Sequence, residues 1–280
     1  MYDLLIRDAE VCDGSGASLY RADLAIRDGR IADIGTALSG GARRTLAAAG
    51  LVAAPGFVDV HTHYDCQLSW DPALTPSCWH GVTTVVVGNC GFSIAPCRPS
   101  DRELLMRMLL FVEGMPTEAL RAGIRWEWET FPEYLDAVER LRPGINVAAF
   151  VGHSAIRYWV MGSAAAERAA TADELERMRE VLREAMRAGA VGFATSESPT
   201  HFFGDGTPVP SRVAAREEIL ALGSVLREFG RGLVEVAPLH LIGSTDSKRE
   251  DQAFYCELAR ASGRPVTWAP LLHSPFDPEG

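Results

Sequence analysis

The chain has 280 residues, 47% of them hydrophobic, and a formal net charge of −10. That apolar content and length supply a large buried core, while the acidic balance excludes non-specific nucleic-acid binding. No apolar run reaches the roughly 18 residues that a membrane span requires.

The start, Met1-Tyr2-Asp3-Leu4-Leu5-Ile6-Arg7, has no basic region followed by a long apolar stretch, and reads as a first strand rather than a signal peptide. Residues 1–53 read as short strands and turns, with strands expected at 3–7, 23–27 and 31–34 and a hairpin turn at Asp28-Gly29. From residue 54 strands and helices alternate. Strands are expected at 57–60, 83–87, 146–151, 191–195, 233–237 and 265–268. Helices are expected near 102–110 and 133–141, and from Thr171, whose capping box with Glu174 opens a helix that Gly189 closes. Two more span about 216–229 and 246–261. Such alternation predicts a parallel sheet with crossover helices, an α/β architecture. Six strand–helix starts fall short of the eight of a closed barrel, so residues 54–280 read as a barrel incomplete at its C-terminal end, and the chain as a fragment.

The run Pro55-Gly56-Phe57-Val58-Asp59-Val60-His61-Thr62-His63 carries two histidines two residues apart at a strand's C-terminal end. Alternate side chains of a strand share a face, and the C-terminal rim is where an α/β barrel keeps its chemistry. Two imidazoles converging there point to a metal. Cys90 follows the second barrel strand in Gly88-Asn89-Cys90-Gly91 and opens on the same rim. Beside a divalent cation it becomes a thiolate ligand. The six cysteines form no Cys-x-x-Cys pair, which leaves no zinc knuckle and fits a reducing cytoplasm.

These runs resemble the amidohydrolase superfamily, and within it the N-acyl-D-amino-acid deacylase (D-aminoacylase) family. The likeness rests on Pro55-Gly56-Phe57-Val58-Asp59-Val60-His61-Thr62-His63-Tyr64-Asp65 and Gly88-Asn89-Cys90-Gly91-Phe92-Ser93-Ile94-Ala95-Pro96. Phe131-Pro132-Glu133-Tyr134-Leu135, Val151-Gly152-His153-Ser154 and Ala188-Gly189-Ala190-Val191-Gly192-Phe193 extend it. The resemblance implies a TIM-like (β/α)₈ metal-dependent-hydrolase barrel, with residues 1–53 the N-terminal portion of a small β-sandwich. It implies one or two divalent metal ions, zinc, held by His61, His63 and Cys90, and a metal-activated water that cleaves a small-molecule N-acyl amino acid at its linear amide. The relatives that bridge two metals with a carboxylated lysine have no counterpart here, because Lys248, the chain's sole lysine, lies in a polar helix start.

The family's strand-five and strand-six histidines are absent from their usual places. His240 and His273 come later, in the loops that follow, and are candidate ligands there; whether Glu235 points into the barrel is left open by parity alone. The family's catalytic aspartate would lie beyond residue 280, so no catalytic residue is assigned. His153, Arg157 and His201 are candidate substrate contacts at the rim, Arg157 through a bidentate bond to a substrate carboxylate. Trp126 and Trp128 read as packing residues. The alternatives are a cyclic-amide hydrolase of hydantoinase type and a non-catalytic truncated relative. Oligomeric state is not legible.

Overall fold

The computed structural model describes residues 1–241 and 243–270, and its contacts divide the chain into two compact units, Met1–Phe57 and Val58–Gly280. In the first unit five strands form one sheet: β1 (Tyr2–Val11), β2 (Tyr20–Arg27), β3 (Arg30–Gly35), β4 (Ala42–Ala47) and β5 (Val52–Ala53). β1 to β3 are an antiparallel meander whose second hairpin turns at Asp28-Gly29, whereas β4 and β5 run parallel to β1. The Asp8 backbone bulges at φ 61°, and the buried Asp23 carboxylate accepts its N–H at 2.9 Å. Ala9, Val11, Ala22, Leu24 and Ala48 make a small separate core.

β6 (Phe57–Asp59) begins the main body. It is followed by β7 (Val82–Val87), α1 (Arg102–Glu113), α2 (Thr117–Gly123), α3 (Phe131–Leu141), β8 (Asn146–Gly152), α4 (His153–Met161), α5 (Ala172–Ala188), β9 (Gly192–Ser196), α6 (Arg216–Phe229), β10 (Leu233–Ala237), α7 (Thr245–Ser262) and β11 (Val266–Trp268). The six strands pair in sequential order from β6 to β11, and every pair from β7 to β11 is parallel. Sequential parallel pairing with helical crossovers is the wiring of a (β/α) barrel, and these six strands make a curled part of one. Its core runs through Val85, Val87, Val151, Phe193, Val234 and Val236 on the strands to Met178, Leu182, Leu222 and Leu226 on the helices. β9 is buried at all five positions and β8 at its last four, as a sheet covered on both faces demands. Among the described residues no helix is long and apolar enough to cross a membrane.

The helix starts show how local chemistry sets the boundaries. Thr171 and Glu174 form the expected capping box, and Thr130 with Glu133 makes a second at α3, which moves that helix start two residues ahead of expectation. α4 has no side-chain cap and follows β8 directly after Gly152, so neither a capping signal nor a loop announces it in the sequence.

After β7 the chain turns at Gly88, with φ +79° and an ideal Cβ position only 2.4 Å from the Phe150 carbonyl oxygen. Only glycine fits both demands. Gly88→Ala is expected to lower the unfolding free energy by about 2 kcal/mol or more; an unchanged urea midpoint would show that the turn tolerates a side chain.

Candidate metal centre

His61 and His63 stand just beyond β6, which ends at Asp59, in a segment that is no longer regular strand. The segment is held to β7 instead: the Thr62 N–H and Oγ1 both donate to the Val86 carbonyl, at 3.1 and 2.7 Å. With Thr62 turned toward β7, the two histidine rings fall together, 5.2 Å apart and edge to face. The strand-parity expectation therefore survives past the end of the strand.

Cys90 comes from the opposite side of the Gly88 turn. Its backbone takes φ 56°, the left-handed region that non-glycine residues rarely occupy. This conformation brings Cys90 Sγ to 3.4 Å from His61 Nε2. Donor atoms of His61, His63 and Cys90 all lie within 4.8 Å of one another, the one such metal-competent group of histidine, cysteine and acidic residues found among the described residues. Zinc bonds of about 2.0–2.1 Å to nitrogen and about 2.3 Å to sulfur bring two tetrahedral ligands to about 3.6 Å, close to the separation of the sulfur and nitrogen here.

Three carboxylates that sequence reasoning did not assign surround this group. Asp65 is fully enclosed and accepts the Gly88 N–H at 3.1 Å. Glu113, at the end of α1, puts Oε1 3.5 Å from His63 Nε2. Glu235 points inward from β10, accepts the Cys90 N–H at 2.7 Å, and puts Oε1 3.8 Å from His61 Nδ1. Burial raises Asp65 and Glu113 to about 7 and Glu235 to about 8. Among the described residues none of the three has a lysine or arginine within ion-pair distance. Asp65 Oδ1 and Glu235 Oε1 are buried without a hydrogen-bond partner. A signal for Asp65 existed, since it continues the alternation of His61 and His63; nothing in the sequence pointed to Glu113.

The imidazoles are neutral. Burial lowers His61, and it takes His63 to about 3, with His61 and His201 adding repulsion. Burial, Arg212 and His61 bring His201 to about 4. Neutral imidazole is the metal-binding form. Burial also pushes the Cys90 thiol well above its usual value, with Glu235, Glu113 and Asp65 opposing its ionisation. A divalent cation reverses that balance, because it stabilises thiolate and carboxylates together. Donor set, spacing and orphaned oxygens all fit one.

The remaining candidates separate. His201 stays at the site: its ring meets Phe92 edge to face at 4.8 Å, and Nδ1 lies 2.6 Å from Ser196 Oγ. His153 and Arg157 do not face an open rim. His153 is fully buried at the start of α4, with Nδ1 2.8 Å from Thr195 Oγ1 and Nε2 2.8 Å from Glu218 Oε1. Arg157, equally buried, grips both Glu218 oxygens at 2.6 and 2.7 Å and gives its other donors to the carbonyls of Ala165 and Arg168. The carboxylate it clamps is the protein's own, so it has no donor left for a substrate. His240 sits apart from His61, His63 and Cys90: Asp251 of α7 holds its backbone N–H at 2.8 Å and its Nδ1 at 3.0 Å. His273 lies outside the described residues. Trp128 packs as expected, buried, with its indole N–H on the Ile94 carbonyl at 3.0 Å.

The profile described as the amidohydrolase family matches residues 44–279. A D-aminoacylase of Alcaligenes xylosoxydans xylosoxydans is 40% identical over 194 residues, 69% of this chain and 37% of the relative. A solved D-aminoacylase, studied for the role of its binuclear metal centre, superposes with TM-score 0.77 at 32% identity, over 95% of this chain and 51% of the other. The N-acyl-D-glutamate deacylase of Bordetella bronchiseptica, solved with zinc and a phosphonate that mimics the tetrahedral intermediate, gives TM-score 0.76 at 33% identity, over 95% and 50%. The chain thus spans about two-fifths to one half of the length of these relatives.

The buried Glu218 cluster makes a prediction of its own. Burial alone would raise this carboxyl, but His153 and Arg157 hold it down to about 2. A folded-state value below the unfolded one, about 4.3, stabilises the protein above about pH 4.3 and is lost as pH falls toward about 2. Glu218→Gln is expected to cost about 3–5 kcal/mol near neutral pH, because it leaves Arg157 charged and buried. It should also flatten the acid limb of stability in urea titrations; a variant with the original acid slope would refute this account.

Proposed function

The chain belongs to the amidohydrolase family, and from that premise we propose that it is the metal-binding part of a hydrolase that cleaves the linear amide of N-acyl amino acids, N-acyl-D-amino acids among them. The observation that carries this reading is the meeting of His61, His63 and Cys90 among carboxylates that, among the described residues, have no lysine or arginine within ion-pair distance. These three residues hold a divalent cation, zinc in this proposal. Bound there, the cation supplies Lewis-acid chemistry for the amide carbonyl and lowers the pKa of water.

The chain's own residues do the rest. Asp65 and Glu235 fix the Gly88–Cys90 turn through backbone N–H groups. Burial keeps His61 and His63 neutral and available as donors. His201, braced through Nδ1 by Ser196, is the proposed substrate contact beside the histidine pair. The likeness to D-aminoacylase and to a zinc-containing N-acyl-D-glutamate deacylase supports both the metal and the substrate class. Fold kinship by itself does not set substrate; the side-chain and stereochemical preference therefore fall to experiment.

The test measures zinc content and acyl release together, on the full-length hydrolase of which this chain is the proposed part, with N-acetyl-D-amino acids, their L counterparts and a hydantoin as substrates. Zinc-dependent release from the D series is expected. Cys90→Ser and His63→Ala should each weaken zinc binding by more than about 100-fold, beyond the effect of losing an outer-shell partner. A protein that binds no zinc and releases no amine from any of these amides would overturn the proposal.

A further inference from the structure

Glu235 lies in the middle of β10, paired in register with Ala194 of β9 and Thr267 of β11, and is 1% exposed. Its two oxygens face two of the three metal-binding residues. Oε2 accepts the Cys90 N–H at 2.7 Å across 145 residues of chain. Oε1 has no hydrogen-bond partner and lies 3.8 Å from His61 Nδ1. The other ring nitrogen, Nε2, faces Cys90 Sγ. The His61 ring is therefore divided, with Nε2 toward the thiol and Nδ1 toward the carboxylate.

A neutral imidazole carries one proton. A carboxylate beside Nδ1 keeps the proton there and leaves the Nε2 lone pair for a cation. The Cys90 backbone, at φ 56°, needs a hold of its own, because a left-handed non-glycine residue persists only where its surroundings impose it. Asp65 secures the turn at Gly88, and Glu235 secures it at Cys90 itself. Glu113 stands near His63 in a similar way but accepts no backbone bond from the turn, and its side chain is 16% exposed.

We propose that Glu235 is the positioning residue of the metal centre: it pins Cys90 through the backbone and orients His61 so that Nε2 is the ligating nitrogen. This rests on the metal reading above. It assigns to β10 a group whose role is orientation, acting from the same strand that carries no histidine at the expected place.

Cobalt titration of the full chain tests it, with the thiolate-to-metal charge-transfer band as readout. Glu235→Gln is expected to bind Co²⁺ about 10- to 100-fold more weakly and to show a shifted or weakened thiolate band. Wild-type affinity and band in Glu235→Gln would overturn the positioning role while leaving the metal centre standing. Wild-type protein with no cobalt band would overturn the metal reading itself, and this inference with it. If Glu235→Gln does not fold, imidazole ¹⁵N spectra of the zinc-loaded wild type decide: a metallated Nε2 with a protonated Nδ1 on His61 supports the inference, and a metallated Nδ1 overturns it.

Discussion

Burying acid without base is the constraint on which this structure turns. Two clusters among the described residues show the contrast, one with a base beside the buried acid and one without lysine or arginine. Glu218 sits in the interior with Arg157 and His153 on its oxygens, and its carboxyl falls to about 2. Asp65, Glu113 and Glu235 sit around His61, His63 and Cys90 with no described arginine or lysine within ion-pair distance, and rise to about 7, 7 and 8. Burial pushes every one of these carboxyls up, and the shifts end with opposite sign because Arg157 and His153 sit on Glu218 while no described arginine or lysine sits on the others. In the second cluster no described lysine or arginine supplies the counter-charge, and a divalent cation would supply it.

The barrel wiring makes that cluster possible. Sequential strand pairing delivers the ends of β6 and β7 and the middle of β10 to one place, although their residues are far apart in sequence. The irregular segments at those ends then satisfy their backbone groups through side chains rather than a ladder. Asn89 Nδ2 donates to the Thr62 and Val86 carbonyls at 3.2 and 2.9 Å, Thr62 Oγ1 donates to Val86, and Asp65 and Glu235 take the N–H groups of Gly88 and Cys90. Polar residues near the histidines thus build the scaffold of the site, whether or not they touch a ligand.

The sequence was most legible where a local rule acts. The alternation of strands and helices, the Thr171 capping box and the His61-x-His63 spacing each depend on neighbours within a few positions, and the structure has all three. It was least legible where partners lie far apart. β4, Ala-Arg-Arg-Thr-Leu-Ala, lacks a strand's alternation and is held by pairing with β1. Arg157 reads as a contact for a substrate carboxylate until Glu218, 61 positions away, is placed on it. Parity could not orient Glu235, because a strand covered on both faces has no solvent side to break the tie. His240 is not in the donor group that His61, His63 and Cys90 form, and no local rule in the sequence separates it from them.

The central claim is that His61, His63 and Cys90 share one divalent cation. X-ray absorption at the zinc edge of the metal-loaded chain tests it most directly. The account predicts one sulfur at about 2.3 Å together with imidazole nitrogens at about 2.0–2.1 Å. A first shell with no sulfur scatterer would place the metal elsewhere and contradict it.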